Sequence, residues 1–328
     1  MKKRCGLTRL MALGMTVLLM LSGGCGRQGA LGQKEIRIFL SLNEMDTFRQ
    51  TLVDAATVKA EQEGAVLDVG DAQGSIETQV EQLKQAAAQG YDVILCSAVS
   101  TDTAVQLKMS AGDIPIVFFN SCPDEKYLEA GRYVYVGSDE AVAGQFQAEY
   151  ALSKLAGKQE INVVLIKGPR DHSATLGRTN GVKQALEESG KTIHYVFEDS
   201  ANWDTEQARE LFELFLRTGA EADCVICNND AMALGVLEAG RSAGVDFSEL
   251  PVLGVDATAD GCEAISAGEM AFTVYQSGKG QGEAAVEMAI RLAGGGDTED
   301  MEGITEDGRY VWVDFEKVDG SNVSSYGK

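Results

Sequence analysis

A chain of 328 residues with 45% hydrophobic content is long enough for two domains of ordinary size and apolar enough to give each a core. Its formal charge of −22 repels nucleic acid and anionic lipid, which excludes both as partners of its surface. Such an acidic body suits the binding of a neutral or cationic small molecule.

The N-terminus is set apart from the rest. Lys2, Lys3, Arg4 and Arg9 precede an apolar run, Leu10 to Leu21, that falls short of the roughly 20 residues a membrane span needs. Ser22, Gly23 and Gly24 then lead to Cys25. This order reads as a secretory signal peptide over 1–24. The small residues before the cysteine resemble a bacterial lipobox, in which the cysteine is diacylated and becomes the new N-terminus. Two acyl chains hold a protein stably to a bilayer where one does not. Cys25 is therefore the expected lipidation site and 25–34 a tether. The folded part is expected on the extracytoplasmic face of the cell membrane, attached only through lipid. Removing the leader's four basic residues takes the formal charge from −22 to −26.

Beyond residue 34, short apolar strands alternate with amphipathic helices. Strands are predicted at 35–42, 65–71, 92–98, 114–120 and 133–138, then at 161–168, 192–199, 223–229, 250–256 and 271–276. Helices lie between them, among them 75–90, 139–156 and 206–218. That alternation predicts parallel sheets covered by helices on both faces. The two series echo each other: a buried strand, a polar tip, a helix, then a strand opened by Ile114-Pro115 or Leu250-Pro251. The duplication predicts two similar doubly wound α/β domains. In open parallel sheets ligands bind beyond the C-terminal ends of the strands. There the sequence is polar: Asn43, Glu44 and Asp46, then Ser97, Asn120, Asn228, Asn229, Asp230, Asp256 and Gln276.

Enzymatic signatures are missing. The chain contains no G-x-S-x-G elbow, no P-loop and no H-E-x-x-H, and its only histidines are His172 and His194. Gly278-Lys279-Gly280-Gln281-Gly282 lacks the spacing of either phosphate fingerprint and reads as a helix start. Cys224 and Cys227 form a C-x-x-C inside an apolar strand, where alternation sends residues three apart to opposite faces, so they read as core cysteines. No cofactor or metal is implied. The polar tips suit a polyol, whose hydroxyls both donate and accept and whose C–H faces pack on flat aromatic rings. Charge-assisted hydrogen bonds contribute about 1.5–3 kcal/mol each, so a handful reach micromolar binding, about 8 kcal/mol.

Segments IPIVFFN, YVYVGSDE, VVLIKG, SANWDTEQA, CNNDAMALG and VLGVDA make the chain resemble the periplasmic glucose/galactose-binding proteins, within the ribose/galactose type of ABC-transporter solute receptors. The resemblance covers nearly all of the mature chain. It implies the type I periplasmic binding protein fold, two domains closing on a hinge over a cleft, with no reaction catalysed. It implies crossings between domains near Gly137, Gln276 and Arg309. The domains are then 35–137 plus 277–308, and 138–276 plus 309–328.

By the same resemblance, Asp46 and Phe48 match a carboxylate and a stacking ring after the first strand. His172 and Arg178 match groups that reach ring hydroxyls, Trp203 a second stacking ring, and Asn229 and Asp256 an amide and a carboxylate of the second domain. Three positions depart from the pattern. Ala174 replaces an aspartate, Ser97 an asparagine, and Gln276 an asparagine one methylene shorter; the last two are still expected in the site. The family's calcium loop has no counterpart between Lys154 and Ile161, where only LAGKQE stands. The expected ligand is a monosaccharide, galactose, glucose or a related sugar, with a pentose or other sugar as the alternative. The expected partner is an ABC permease, with a chemoreceptor or sensor kinase as the alternative, and the receptor is expected to act as a monomer.

Overall fold

The computed structural model describes residues 35–327. Cys25, the leader and the tether lie outside them.

The chain lays down a first lobe as β1 (Arg37–Leu42), α1 (Thr47–Gln62), β2 (Val66–Asp71), α2 (Ile76–Gln89), β3 (Val93–Cys96), α3 (Ala104–Ala111), β4 (Ile116–Phe119) and β5 (Tyr133–Gly137). A second lobe follows as α4 (Glu140–Lys154), β6 (Glu160–Lys167), α5 (Ser173–Glu188), β7 (Thr192–Ser200), α6 (Thr205–Thr218), β8 (Cys224–Cys227), α7 (Asp230–Ala243), β9 (Val252–Leu253), α8 (Ala259–Ser266) and β10 (Phe272–Tyr275). The chain then returns through α9 (Gly278–Gly294) and β11 (Tyr310–Trp312) to the first lobe, and crosses back as β12 (Glu316–Asp319).

The strand order is β2-β1-β3-β4-β5-β11 in one sheet and β7-β6-β8-β9-β10-β12 in the other. The orders correspond position by position, which is the duplication expected from the sequence. Pairing is parallel, as at Ile38 between Leu67 and Val93, except that β12 runs antiparallel to β10. Apolar clusters fill both faces of each sheet. One face of the first joins α1 and α9 through Leu40, Leu52 and Val286; the other joins α2 and α3 through Leu83, Ile94 and Leu107. In the second lobe Cys227 belongs to one cluster and Cys224 to the opposite one, both buried and unpaired. Gly278 opens α9, capped by Ser277 Oγ, which accepts from the Gly280 N–H.

The third crossing differs from expectation. Tyr310–Trp312 stays in the first sheet beside β5, with Tyr310 opposite Tyr135. Its two aromatic rings stack at 4.9 Å and both meet Tyr135 edge-on. A buried aromatic edge holds this stretch to the first lobe, so the chain changes lobes after Trp312 and not near Arg309. The other two crossings fall between Gly137 and Glu140 and between Tyr275 and Gly278.

Candidate functional site

A cleft of about 250 Å³ lies between the lobes at the C-terminal ends of the strands. Asp46, Phe48, Arg49 and Asn120 line it from the first lobe; His172, Ala174, Arg178, Trp203, Asn229 and Asp256 line it from the second, and Gln276 from the second crossing. The cleft is somewhat smaller than the roughly 300–1,000 Å³ of pockets for drug-sized ligands, which suits a single small ring. The lobes are apposed, since the Cys122 N–H of the first donates to Ser173 Oγ of the second at 3.0 Å.

Several site residues are helix N-caps, because each helix begins where a strand ends, at the cleft. Asp46 Oδ1 accepts from the Arg49 N–H at 2.7 Å to open α1, and Asn229 Oδ1 accepts from the Met232 N–H at 3.0 Å to open α7. With its carbonyl oxygen on the helix, Asn229 offers its NH₂ as the donor to a ligand. His172 opens α5 by accepting the Ala174 N–H on Nδ1 at 3.2 Å. A neutral imidazole that accepts at Nδ1 carries its proton on Nε2, and Nε2 is buried without a partner among the described residues. Burial, with the charges of Arg49 and Arg178, lowers the His172 pKa to about 3. The ring is therefore neutral at pH 7 and presents one fixed N–H to a ligand oxygen.

Arg178 is the buried centre of the second lobe's wall. Helices α4 and α5 touch backbone to backbone: a Cβ on Gly144 would lie 2.0 Å from the Arg178 carbonyl oxygen, and one on Gly181 2.1 Å from that of Ala141. That approach sets Arg178 beside Glu140. Its Nε–H donates to Glu140 Oε2 at 2.7 Å, Nη1 to the Asn228 carbonyl at 2.7 Å, and Nη2 to Gln276 Oε1 at 3.1 Å. Asp256 Oδ1 stands 3.5 Å from Nη1. Of the five N–H groups of a guanidinium, one on Nη2 is left for a ligand. Burial opposes the Arg178 charge, but Glu140 and Asp256 outweigh it and hold the proton more tightly than usual. Burial also pushes the carboxyls of Glu140 and Asp256 above their ordinary range, against the attraction of Arg178.

Backbone strain collects here. Asn120, Trp203 and Asp256 have φ of 58°, 66° and 115°, a region that costs a non-glycine residue about 1–3 kcal/mol. Asp230, wholly buried, holds the segment after Asp256 by accepting from the Thr258 N–H at 2.8 Å and from Thr273 Oγ at 2.6 Å. Trp203 is fixed by the edge of His172 at 5.4 Å and lies under the Arg178 guanidinium at 5.8 Å.

Eight of the nine residues expected in the ligand site line the cleft. Ser97 does not. It is fully buried, and its hydroxyl donates to Asn43 Oδ1 at 3.2 Å, so it braces the floor behind the cleft. The first lobe's amide in the cleft is Asn120, at the end of β4. Arg49 was not singled out in the sequence, although it follows the cap Asp46 by one helical turn, the spacing at which an arginine folds back on a carboxylate. Glu140 was likewise hidden among many acidic residues, whereas Asp230, read as a polar strand tip, braces the segment after Asp256 and does not line the cleft. Among the described residues no group of three or more His, Cys, Asp and Glu side chains is placed to hold a metal ion.

Residues 38–297 match the model of the periplasmic binding protein domain, and the chain belongs to that family. A putative rhizopine-binding protein of Rhizobium meliloti is 30% identical over 287 residues, 87% of this chain and 86% of that protein. The D-galactose/methyl-galactoside binding periplasmic protein of Haemophilus influenzae is 32% identical over 282 residues, 81% and 83% of the two chains. A solved ABC-transporter solute-binding protein of Bacillus halodurans C-125, with bound myo-inositol, superposes with a TM-score of 0.79 at 30% identity, covering 89% of this chain and 97% of its own. The protein is thus a periplasmic binding protein with the type I receptor fold, and not an enzyme.

Proposed function

We propose that the cleft captures one neutral polyol ring, galactose, glucose or a closely related six-membered ring, and presents it to an ABC permease. The observation that carries this reading is the placement of Phe48 and Trp203 on opposite lobes of one small cleft edged by Asp46, His172, Arg178, Asn229 and Asp256. Flat rings pack on the C–H faces of a sugar, while the edge groups meet its hydroxyls. The galactose-binding relative and the myo-inositol-bound neighbour support the same ligand class. Myo-inositol is the second candidate, favoured by Ala174, which lines the cleft without any polar atom for a ligand. By the lipobox-like run, the receptor is held to the membrane through Cys25.

A thermal-shift screen over galactose, glucose, allose, ribose and myo-inositol tests the reading, since a ligand at 100 times its Kd adds about 2.7 kcal/mol of stability. A shift with a six-membered polyol supports it. A shift with ribose alone, or none at all, overturns it.

A further inference from the structure

We infer that Arg49 reads two adjacent oxygens of the ligand from the first lobe, and so sets which ring polyol the receptor accepts. The inference rests on the polyol reading above and extends it to a residue outside the expected set. Arg49 lines the cleft with a side chain that is only 10% exposed. Its Nε–H donates to Asn120 Oδ1 at 3.4 Å and its Nη1 to Asp46 Oδ2. The second N–H of Nη1 and both of Nη2 have no acceptor among the described residues. None of the Arg49 nitrogens is among the buried polar atoms left without a partner, so these N–H groups are reached from outside, and the cleft that Arg49 lines is where a ligand acceptor meets them.

The geometry suits oxygen recognition. Asp46 holds Arg49 twice, capping its backbone N–H and pairing with its guanidinium, so the fork is set before the ligand enters. Because the pair with Asp46 is neutral overall, Arg49 adds donors to the wall without adding net charge. Two parallel N–H groups match two neighbouring ring hydroxyl oxygens, as a lysine ammonium on a flexible stem does not. Ala174, on the other lobe, offers no acceptor. The site is thus weighted toward ligand oxygens that accept on the side facing α1.

Isothermal calorimetry with D-galactose, its singly deoxygenated derivatives, myo-inositol and its deoxy derivatives tests this on wild type, Arg49→Met and Arg49→Lys. In wild type, removal of either of two adjacent hydroxyls is expected to weaken binding about tenfold or more. In Arg49→Met both of those penalties vanish while the others persist, which is the signature of coupling between partners. Arg49→Lys retains the ion pair with Asp46; it is expected to melt like wild type yet to lose both penalties. If both variants keep the wild-type pattern, Arg49 only braces Asp46 and Asn120, and the inference fails alone. If no polyol binds wild type, the polyol reading fails and takes this inference with it.

Discussion

Replacing Glu140 by alanine tests whether Arg178, the arginine proposed to meet the ligand, is held by the contacts described above. Glu140 never lines the cleft, yet its Oε2 takes the Nε–H of Arg178 at 2.7 Å, with the two side chains 8% and 4% exposed. Removing one partner of a buried ion pair costs about 3–5 kcal/mol, because the other charge stays buried. Here Asp256 remains 3.5 Å from the guanidinium as a second counter-ion, which places Glu140→Ala at the lower end, about 3 kcal/mol. At about 2–4 °C per kcal/mol for a chain of this size, the melting temperature should fall by roughly 6–12 °C. Arg178 should swing toward Asp256 and take the donor on Nη2 out of line. The sugar then binds at least about tenfold more weakly, a loss of about 1.4 kcal/mol. Glu140→Gln keeps an acceptor for the Nε–H and should fall between the two. Differential scanning calorimetry and titration calorimetry with the best polyol of the screen are the assays. Glu140→Ala that binds within twofold of wild type would refute the reasoning, whatever its melting temperature.

Trp203→Ala removes one of the two flat walls; calorimetry should show a loss of about 2 kcal/mol or more of binding, as truncated aromatic anchors do, and unchanged affinity would move the ligand elsewhere. Small-angle scattering should show the radius of gyration falling when a saturating polyol is added to the unliganded receptor; an unchanged profile would remove the hinge. In a bacterial host, Cys25→Ser should release the protein from the membrane fraction or block its processing, whereas a variant processed and retained like wild type would end the lipoprotein reading.

The two-lobed fold was legible because its signals are local. Apolar runs of four to six residues such as Val93–Cys96 and Ile116–Phe119 are fully buried on both sides, and the helices between them carry caps in sequence, such as Ser75 and Asp204. The tail was less so. Tyr310–Trp312 and Glu316–Asp319 are three and four residues long, and which sheet each joins depends on strands distant in sequence, Tyr133–Gly137 for the first and Phe272–Tyr275 for the second. The site divides in the same way. Asn229 stands out in the sequence as a polar strand tip, while Trp203 and His172 were picked out only by the family resemblance. Glu140 does not, because its meaning comes from the glycine-mediated contact of α4 with α5, which no local pattern encodes. Ser97 misled for the complementary reason: a strand-tip position fixes where a backbone ends, but its short hydroxyl is claimed by Asn43 before it reaches the cleft.

The same distribution of contacts bears on the order of binding. His172, Arg178, Asn229 and Asp256 are oriented by bonds and charges within the second lobe and by Gln276 at the second crossing, so that wall is assembled whether or not the first lobe is near. Arg49, Asp46 and Asn120 are likewise set among themselves, on the first lobe. On the proposed reading, a ligand meets the fuller set of fixed partners on the second lobe, and the first lobe adds Phe48 and its arginine on closing. Two of the groups that hold Arg178 sit at the crossings: Glu140 starts the helix after the first, and Gln276 lies in the second. Gln281 of α9 donates to Ser138 Oγ at 3.1 Å, tying the same two crossings together. A hinge works by changing backbone angles at a few such positions, and a ligand shifts it only by binding the closed form more tightly than the open one. On the proposed reading, with Arg178 bonded both toward the cleft and toward the crossings, binding of the polyol is coupled to rotation of the lobes.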